Sequence, residues 1–389
     1  MISYMIRVFI IFSFALLYSE QTHLLPHHIS YKNILGYDSK VGKVYEWHDI
    51  SRYLQELKIK KFNQPNRGLS IRWLGTFGFE LSDGTTSLLI DPFVSRPTPK
   101  EQFRPLHIDT DAVNHYVLRQ GNNSTIKAVL VTHSHYDHIQ DVPYILSQYL
   151  DNGIQPILIG NKNTEQIIQS YNKSDISWIG PNNSLEKIQI YVTDFSSKEN
   201  AHNQWNIGRF KITAFQGLHP QYDFFSWRGP SGLIESTPPF YVWDYKLNHN
   251  ESIGFLIEYG GLKIYFSDSP FIQNPKNIGK VDILIQTIAS REMENNIAEC
   301  IKVMEPIYYI PAHYDNFFKP LDEFSTFDPV IGFGFPENIF GDTETPLIDF
   351  AHFDSFITEF ENEYKTQSTE LRLLKLLYYY SIESLVLKK

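Results

Sequence analysis

From Ser70 onward the chain alternates short apolar runs with polar breaks, a spacing typical of strands and short helices. Ile71-Arg72-Trp73-Leu74 and the run over residues 77–81 lead into a Ser82-Asp83-Gly84 turn and then Ser87-Leu88-Leu89-Ile90. Apolar runs of that length, broken by turn residues, predict two or three antiparallel strands joined by a hairpin. Residues 127–131 predict another strand and residues 142–150 a helix. The same alternation continues with a strand at 157–159, a helix at 164–171, and strands at 188–192 and 210–215. Residues 253–258 and 262–266 flank Gly260-Gly261 as a hairpin. A strand at 281–286, a helix at 292–304 and a strand at 307–310 complete the series. Strands interspersed with helices, several paired as hairpins, predict a layered α/β architecture with mixed sheets.

The two ends differ from this middle. Residues 8–18 (VFIIFSFALLY) are almost wholly apolar, follow Arg7, and precede polar Ser19, Glu20 and Gln21. This resembles a secretory signal and is short for a membrane span. An uncleaved anchor and a buried first helix are the alternatives, because Leu17 and Ser19 suit a cleavage site poorly. Export is therefore expected, to a periplasmic, secreted or membrane-anchored location, with membrane proximity through the N-terminus. Four parts follow: 1–20 as signal or anchor, 21–69 as an N-terminal extension, 70–320 as the main folded domain, and 321–389 as a C-terminal extension. Beyond Pro320 the chain is loop-rich (Gly332, Gly334, Pro336, Gly341, Pro346) and ends in a Leu- and Tyr-rich stretch, 371–387. That stretch is expected to be a helix packed on the domain.

Composition narrows the chemistry. The 389 residues are 42% hydrophobic and 20% charged, which excludes disorder and a coiled coil. Lys plus Arg (34) against Asp plus Glu (44) leaves a formal charge of −10, which disfavours nucleic acid as a partner. Cys300 stands alone, so neither an intramolecular disulfide nor a Cys-built metal site is available. A metal would have to be held by Asp, Glu or the 14 His.

The densest chemistry is Val131-Thr132-His133-Ser134-His135-Tyr136-Asp137-His138, directly after an apolar strand. His133 and His135 can converge on one ion from a turn while Asp137 and His138 face a second. Three later runs repeat the order of apolar strand followed by a potential ligand, reaching His219, Asp268 and His313. Singly, each is an ordinary strand-end residue. Together they meet the needs of a two-metal site: His133, His135 and His219 on one ion, Asp137, His138 and His313 on the other, and Asp268 between them. His27, His28, His202, His249 and His352 lack such context, and surface or core roles are expected for them.

These motifs resemble those of the metallo-β-lactamase-fold hydrolases, over residues of about 70 to 320. The nearer likeness is to the branch of ascorbate-phosphate lactonase-like and N-acyl-phosphatidylethanolamine phospholipase D-like enzymes. Ile90-Asp91-Pro92-Phe93 matches the strand-end Asp-Pro of that branch. The resemblance implies a four-layer αβ/βα sandwich with N- and C-terminal extensions, metals at the edge between two sheets, and Asp91 hydrogen-bonding a metal-binding histidine. Some positions depart from the family pattern. Ser267-Asp268-Ser269 replaces Gly-Asp-Thr or Gly-Asp-Ser, Gln140-Asp141 follows the His motif, and His313-Tyr-Asp-Asn-Phe317 replaces His-Trp-Gly-Thr-Phe. Phospholipase specificity is therefore not carried over.

The expected function is hydrolysis of a phosphodiester, ester or lactone, using two divalent ions, zinc foremost with manganese or iron as alternatives. Ions so placed acidify a bridging water and polarise the scissile bond, with Asp268 bridging them and Asp137 a candidate for proton delivery. The substrate is expected to be a small molecule or lipid-like. Trp227, Arg228, Tyr241 and Trp243 sit in an aromatic segment after His219 that either walls a substrate site, with Arg228 as an anion hook, or packs the core. A competing reading is an envelope binding or assembly protein with a structural metal and no turnover.

Overall fold

Strands β1 (Ser70–Gly75), β2 (Gly78–Ser82) and β3 (Ser87–Ile90) form an antiparallel meander, and every residue in them is buried. In β1 and β2 apolar Ile71, Trp73, Phe79 and Leu81 alternate with Arg72 and Glu80, whose ion pair at 3.2 Å lets the opposite face be buried as well. The computed structural model of the chain describes residues 68–98, 101–118, 125–196, 203–219, 231–248, 250–289, 291, 295–315, 317, 320–321, 353–364, 366, 369–374, 376–377 and 379–382. The apolar N-terminal run, residues 21–67 and residues 322–352 lie outside these. No helix among the described residues is long and apolar enough to cross a membrane.

After β3 the first sheet continues in parallel through β4 (Ile126–Leu130), β5 (Ile157–Gly160) and β6 (Ile190–Val192). The second sheet begins with the antiparallel strands β7 (Gln204–Ile207), β8 (Phe210–Gly217), β9 (Ser252–Tyr259) and β10 (Leu262–Ser267). It continues in parallel through β11 (Ile283–Thr287) and β12 (Tyr308–Ala312). Gly260 (φ 57°) and Gly261 (φ 92°) close the β9–β10 hairpin, where both turn residues need the left-handed region. Among the described residues each sheet has seven strands, ordered β14 (Tyr379–Ser381)-β1-β2-β3-β4-β5-β6 and β13 (Glu370–Leu371)-β12-β11-β10-β9-β8-β7.

The two sheets face each other. Ile71, Trp73, Phe79, Leu88 and Leu130 of the first pack with Phe255, Ile257, Ile264 and Phe266 of the second. On the outer face of the first sheet lie α1 (Tyr136–Ile139), α2 (Val142–Asp151) and α3 (Lys162–Asn172). Ile145, Leu146, Ile167 and Ile168 of these helices bury against Leu89, Val129 and Leu158. Asn161 caps α3 by accepting from the backbone N–H of Thr164 at 2.8 Å. The second sheet carries α4 (Pro275–Ile278), α5 (Ile297–Met304) and α6 (Phe353–Glu359), with Cys300, Ile301 and Phe356 in its core. The result is the layered sandwich of two mixed sheets with helices expected from the sequence.

Three elements differ from expectation. Strand β7 carries no apolar run and was not foreseen, since two of its four residues are exposed at a sheet edge. Helix α6 falls in the stretch read as loop-rich. The Leu- and Tyr-rich stretch is not a helix over its described part. It forms β13 (Glu370–Leu371), parallel to β12, and β14 (Tyr379–Ser381), antiparallel to β1, so one short segment extends both sheets. The physical reason is long-range pairing, because open sheet edges outweigh local helical propensity. Tyr379 Oη also donates to Glu80 Oε2 at 2.6 Å, where Glu80 is already paired with buried Arg72 at 3.2 Å.

Tyr380, buried between the sheets, measures how integral this segment is. Tyr380→Ala is expected to cost about 3–5 kcal/mol in urea unfolding, as large-to-small core changes do. A cost below about 1 kcal/mol would mean a loosely docked tail.

Candidate metal centre

Strand direction gathers the candidate ligands. Because β8 and β10 both run antiparallel to β9, while β11 and β12 run parallel to β10, strands β8, β10 and β12 end at the same edge. Their C-terminal ends deliver His219, Asp268 and His313. The first sheet delivers Asp91 after β3 and the His133–His138 run after β4. The sheets are joined at this edge, where the backbone N–H of Ile253 donates to Thr132 O at 2.8 Å.

Three overlapping groups form there: His133, His135 and His219; His133, His138 and Asp268; and Asp137, His138 and His313. Within each, the potential ligand atoms lie within 4.8 Å of one another. All seven side chains proposed from the sequence are thus brought together. His133 Nε2 is 3.1 Å from His135 Nδ1, and the His133 and His138 rings are 3.9 Å apart. His219 stands 4.7 Å from both His133 and His135, ring to ring. Asp268 Oδ2 lies 3.4 Å from His133 Nδ1 and 3.3 Å from His138 Nε2, and its Oδ1 lies 3.4 Å from His313 Nδ1. Asp137 Oδ2 reaches His313 Nε2 at 3.3 Å and His138 Nε2 at 3.6 Å.

Burial and mutual proximity set the charges. His133 is held well below the ordinary imidazole value by burial and by the surrounding histidines, and His135 falls to about 3 by burial and the neighbouring His219. Both are therefore neutral, as metal ligands must be. At His138 burial also pulls down, but Asp268, Asp137 and Asp91 outweigh it and raise the group to about 9. His313 rises against burial to about 10 beside Asp137 and Asp268. The same neighbours hold the Asp137 and Asp268 carboxyls low in spite of their burial.

Asp91 orients this group from beneath. Its Oδ1 accepts from the Thr132 backbone N–H at 2.7 Å, and its Oδ2 meets both the Thr132 hydroxyl and His138 Nδ1, the latter at 2.8 Å. With Nδ1 taken, Nε2 of His138 is left facing Asp137 and Asp268, which is how a carboxylate fixes a ligand histidine.

Two supporting residues escaped the sequence reading. Asp141, buried at the start of α2, accepts from the backbone N–H groups of Val94 and Ser95 at 2.6 and 2.9 Å and from the Ser95 hydroxyl, holding the loop that carries Asp91. Gln286, buried on β11, donates to Ser269 O at 3.0 Å and fixes the turn that carries Asp268. The only signal for either was membership of a polar pair, Gln140-Asp141 or Gln286-Thr287, between apolar residues.

The substrate-side candidates divide. Trp227 and Arg228 lie outside the described residues, as do His27, His28, His202, His249 and His352. Tyr241 and Trp243 are half-buried and stacked on each other, with centroids 4.6 Å apart. Phe240 and Tyr245 of the same segment are core residues packed on Tyr171 and Tyr136. The segment is tied to the His motif through the Ser134 hydroxyl, which donates to Lys246 O at 2.5 Å.

Residues 73–153 match the Metallo-beta-lactamase superfamily, and the two mixed sheets with their helices are consistent with that superfamily's α/β sandwich. The chain is 22% identical over 263 residues to the UPF0173 metal-dependent hydrolase STH3160 of Symbiobacterium thermophilum, covering 64% of this chain and 85% of that one. Among solved structures it is similar to the metallo-beta-lactamase fold protein YhfI from Bacillus subtilis, with TM-score 0.45, 14% identity, and 80% and 99% of the two chains covered. It is also similar to a possible metal-dependent hydrolase from Veillonella parvula, with TM-score 0.42, 14% identity, and 79% and 97% covered.

Two outcomes are expected here. Asp91→Ala should weaken metal uptake by about 10–100-fold, read by titration of chelator-stripped protein; unchanged uptake would remove Asp91 from the support of His138. Burial pushes the Asp141 carboxyl up to about 6, against its hydrogen bonds from Ser95 and Val94. Because the folded-state value is raised, this group's contribution to stability is complete below about pH 4 and is lost as pH rises through about 6. Asp141→Asn cannot titrate, so its stability relative to the parent should rise between those values, by about 1–3 kcal/mol in paired urea melts. A pH-independent difference would contradict the raised value.

Proposed function

We propose that the protein is a hydrolase using two divalent cations, zinc foremost, to cleave a phosphodiester, ester or lactone bond. One observation carries the reading: Asp268 Oδ1 is buried among histidines and a second carboxylate and faces His313 Nδ1 at 3.4 Å without a well-formed hydrogen bond. A buried carboxylate oxygen left unsatisfied calls for a partner, and a cation supplies one. The donor set of imidazoles and carboxylates suits Zn, Mn or Fe. His133, His135 and His219 would hold one ion, Asp137, His138 and His313 the other, and Asp268 would touch both. Ions bound there supply a water acidified toward neutrality and a Lewis acid for the scissile oxygen.

The chain's own groups do the rest. Asp137 and Asp268, kept ionised by the imidazoles around them, provide negative charge that offsets the cations and can accept a proton from the attacking water. Asp91 keeps His138 in one tautomer while this happens. An ester, lactone or phosphodiester suits the acidified water and Lewis acid that such ions would supply. The stacked Tyr241 and Trp243 suit a lipid-like or aromatic group.

Treating the protein with chelator, then restoring Zn, Mn or Fe, should abolish and recover hydrolysis of bis-p-nitrophenyl phosphate or of a member of a lactone panel. His135→Ala and Asp268→Ala should each lower turnover by about a hundredfold or more with the fold retained. Activity indifferent to chelator would end the proposal.

A further inference from the structure

Resting on the two-ion reading above, we infer that the buried ion pair Arg96–Asp315 is a positioning clamp that sets His313, and with it the second metal site. Arg96 Nη2 meets Asp315 Oδ2, and both side chains are buried. Asp315 Oδ1 accepts from the backbone N–H of Thr76 at 2.8 Å. The Thr76 carbonyl in turn accepts from the backbone N–H of His313 at 2.9 Å and from Trp73 Nε1 at 3.1 Å. One carboxylate therefore joins three loops: the β1–β2 turn, the loop after β3 that begins with Asp91, and the loop after β12 that begins with His313.

Those loops share an unusual backbone. Thr76 (φ 51°), Asp91 (φ 41°), Arg96 (φ 40°) and His313 (φ 59°) all occupy the left-handed region. For residues with a Cβ each such conformation costs about 1–3 kcal/mol and persists only where surroundings over-determine it. In His313 this backbone turns the imidazole at the end of β12 toward Asp137 and Asp268. The clamp also explains Gly75 (φ 97°). A Cβ there would sit 1.7 Å from Arg96 Nη2 and 2.7 Å from Asp315 Oδ2, so the turn leaves room for the guanidinium. A buried ion pair is weak evidence for a purely stabilising role, since apolar replacements of similar volume are often neutral or better. Its use here is geometric.

The test is metal stoichiometry. Chelator-stripped parent, Asp315→Asn and the double variant Arg96→Met/Asp315→Leu are titrated with Zn²⁺ by calorimetry and with Co²⁺ followed by its visible absorption, alongside circular dichroism and thermal melts. The double variant leaves no orphaned buried charge, so it remains readable if Asp315→Asn does not fold. The parent is expected to take up two ions. The variants are expected to keep one and lose about tenfold or more of their affinity for the other, with a changed Co²⁺ spectrum and an unchanged circular dichroism spectrum. If a folded variant binds both ions like the parent, whatever its melting temperature, the clamp is overturned while the two-ion reading stands. A parent that takes up a single ion overturns the two-ion reading and the clamp's purpose together.

Discussion

Everything at the candidate centre follows from one constraint: imidazoles and carboxylates, buried or half-buried, are crowded together at one edge of the two sheets. Five imidazoles at neighbouring ring separations of 3.9 to 5.5 Å cannot all carry charge, and burial works against ionising His133, His135, His138 and His313. Two carboxylates cannot remain ionised in the same space without positive charge beside them. The structure answers by dividing the group: burial holds His133 and His135 low, while Asp137 and Asp268 raise His138 and His313, so that a cation bound on that side would displace a proton from each. Such an arrangement is poised for divalent cations, which satisfy the same carboxylates and accept the same lone pairs.

The scaffold makes that crowding possible by geometry rather than by local propensity. Strands β8, β10 and β12 end at one edge, and the His motif leaves β4 at the same edge of the facing sheet. The ligands at those ends stand on loops, so loops are where the remaining order has to come from. Asp141 holds the loop after β3, Gln286 the turn after β10, and the Arg96–Asp315 pair the loop after β12. Asp141, Gln286 and Asp315 are buried, and each makes at least one hydrogen bond to loop backbone, which fixes the loop's path. The C-terminal strands close the structure from outside, with Tyr379 reaching the buried Arg72–Glu80 pair.

Much of this was legible in the chain. Strands β1 to β5 and β8 to β12 announce themselves because their largely buried positions call for runs rich in apolar residues. The candidate ligands were legible because each follows directly on one of those runs. What could not be read was set by long-range pairing. Strand β7 has an exposed, polar sequence, and the Leu-rich C-terminal stretch looks helical until the open edges beside β12 and β1 capture it. Arg96 and Asp315 are 219 positions apart, and nothing local marks either as half of a buried pair. Phe240 and Tyr245 are indistinguishable in sequence from Tyr241 and Trp243, yet the first two are core and the others are not.

The central claim is that these seven side chains hold two cations, and anomalous X-ray diffraction at the zinc absorption edge from zinc-loaded crystals tests it most directly. The account predicts two anomalous peaks: one bounded by His133, His135 and His219, the other by Asp137, His138 and His313, with Asp268 against both. A single peak, or peaks away from this cluster, would contradict it.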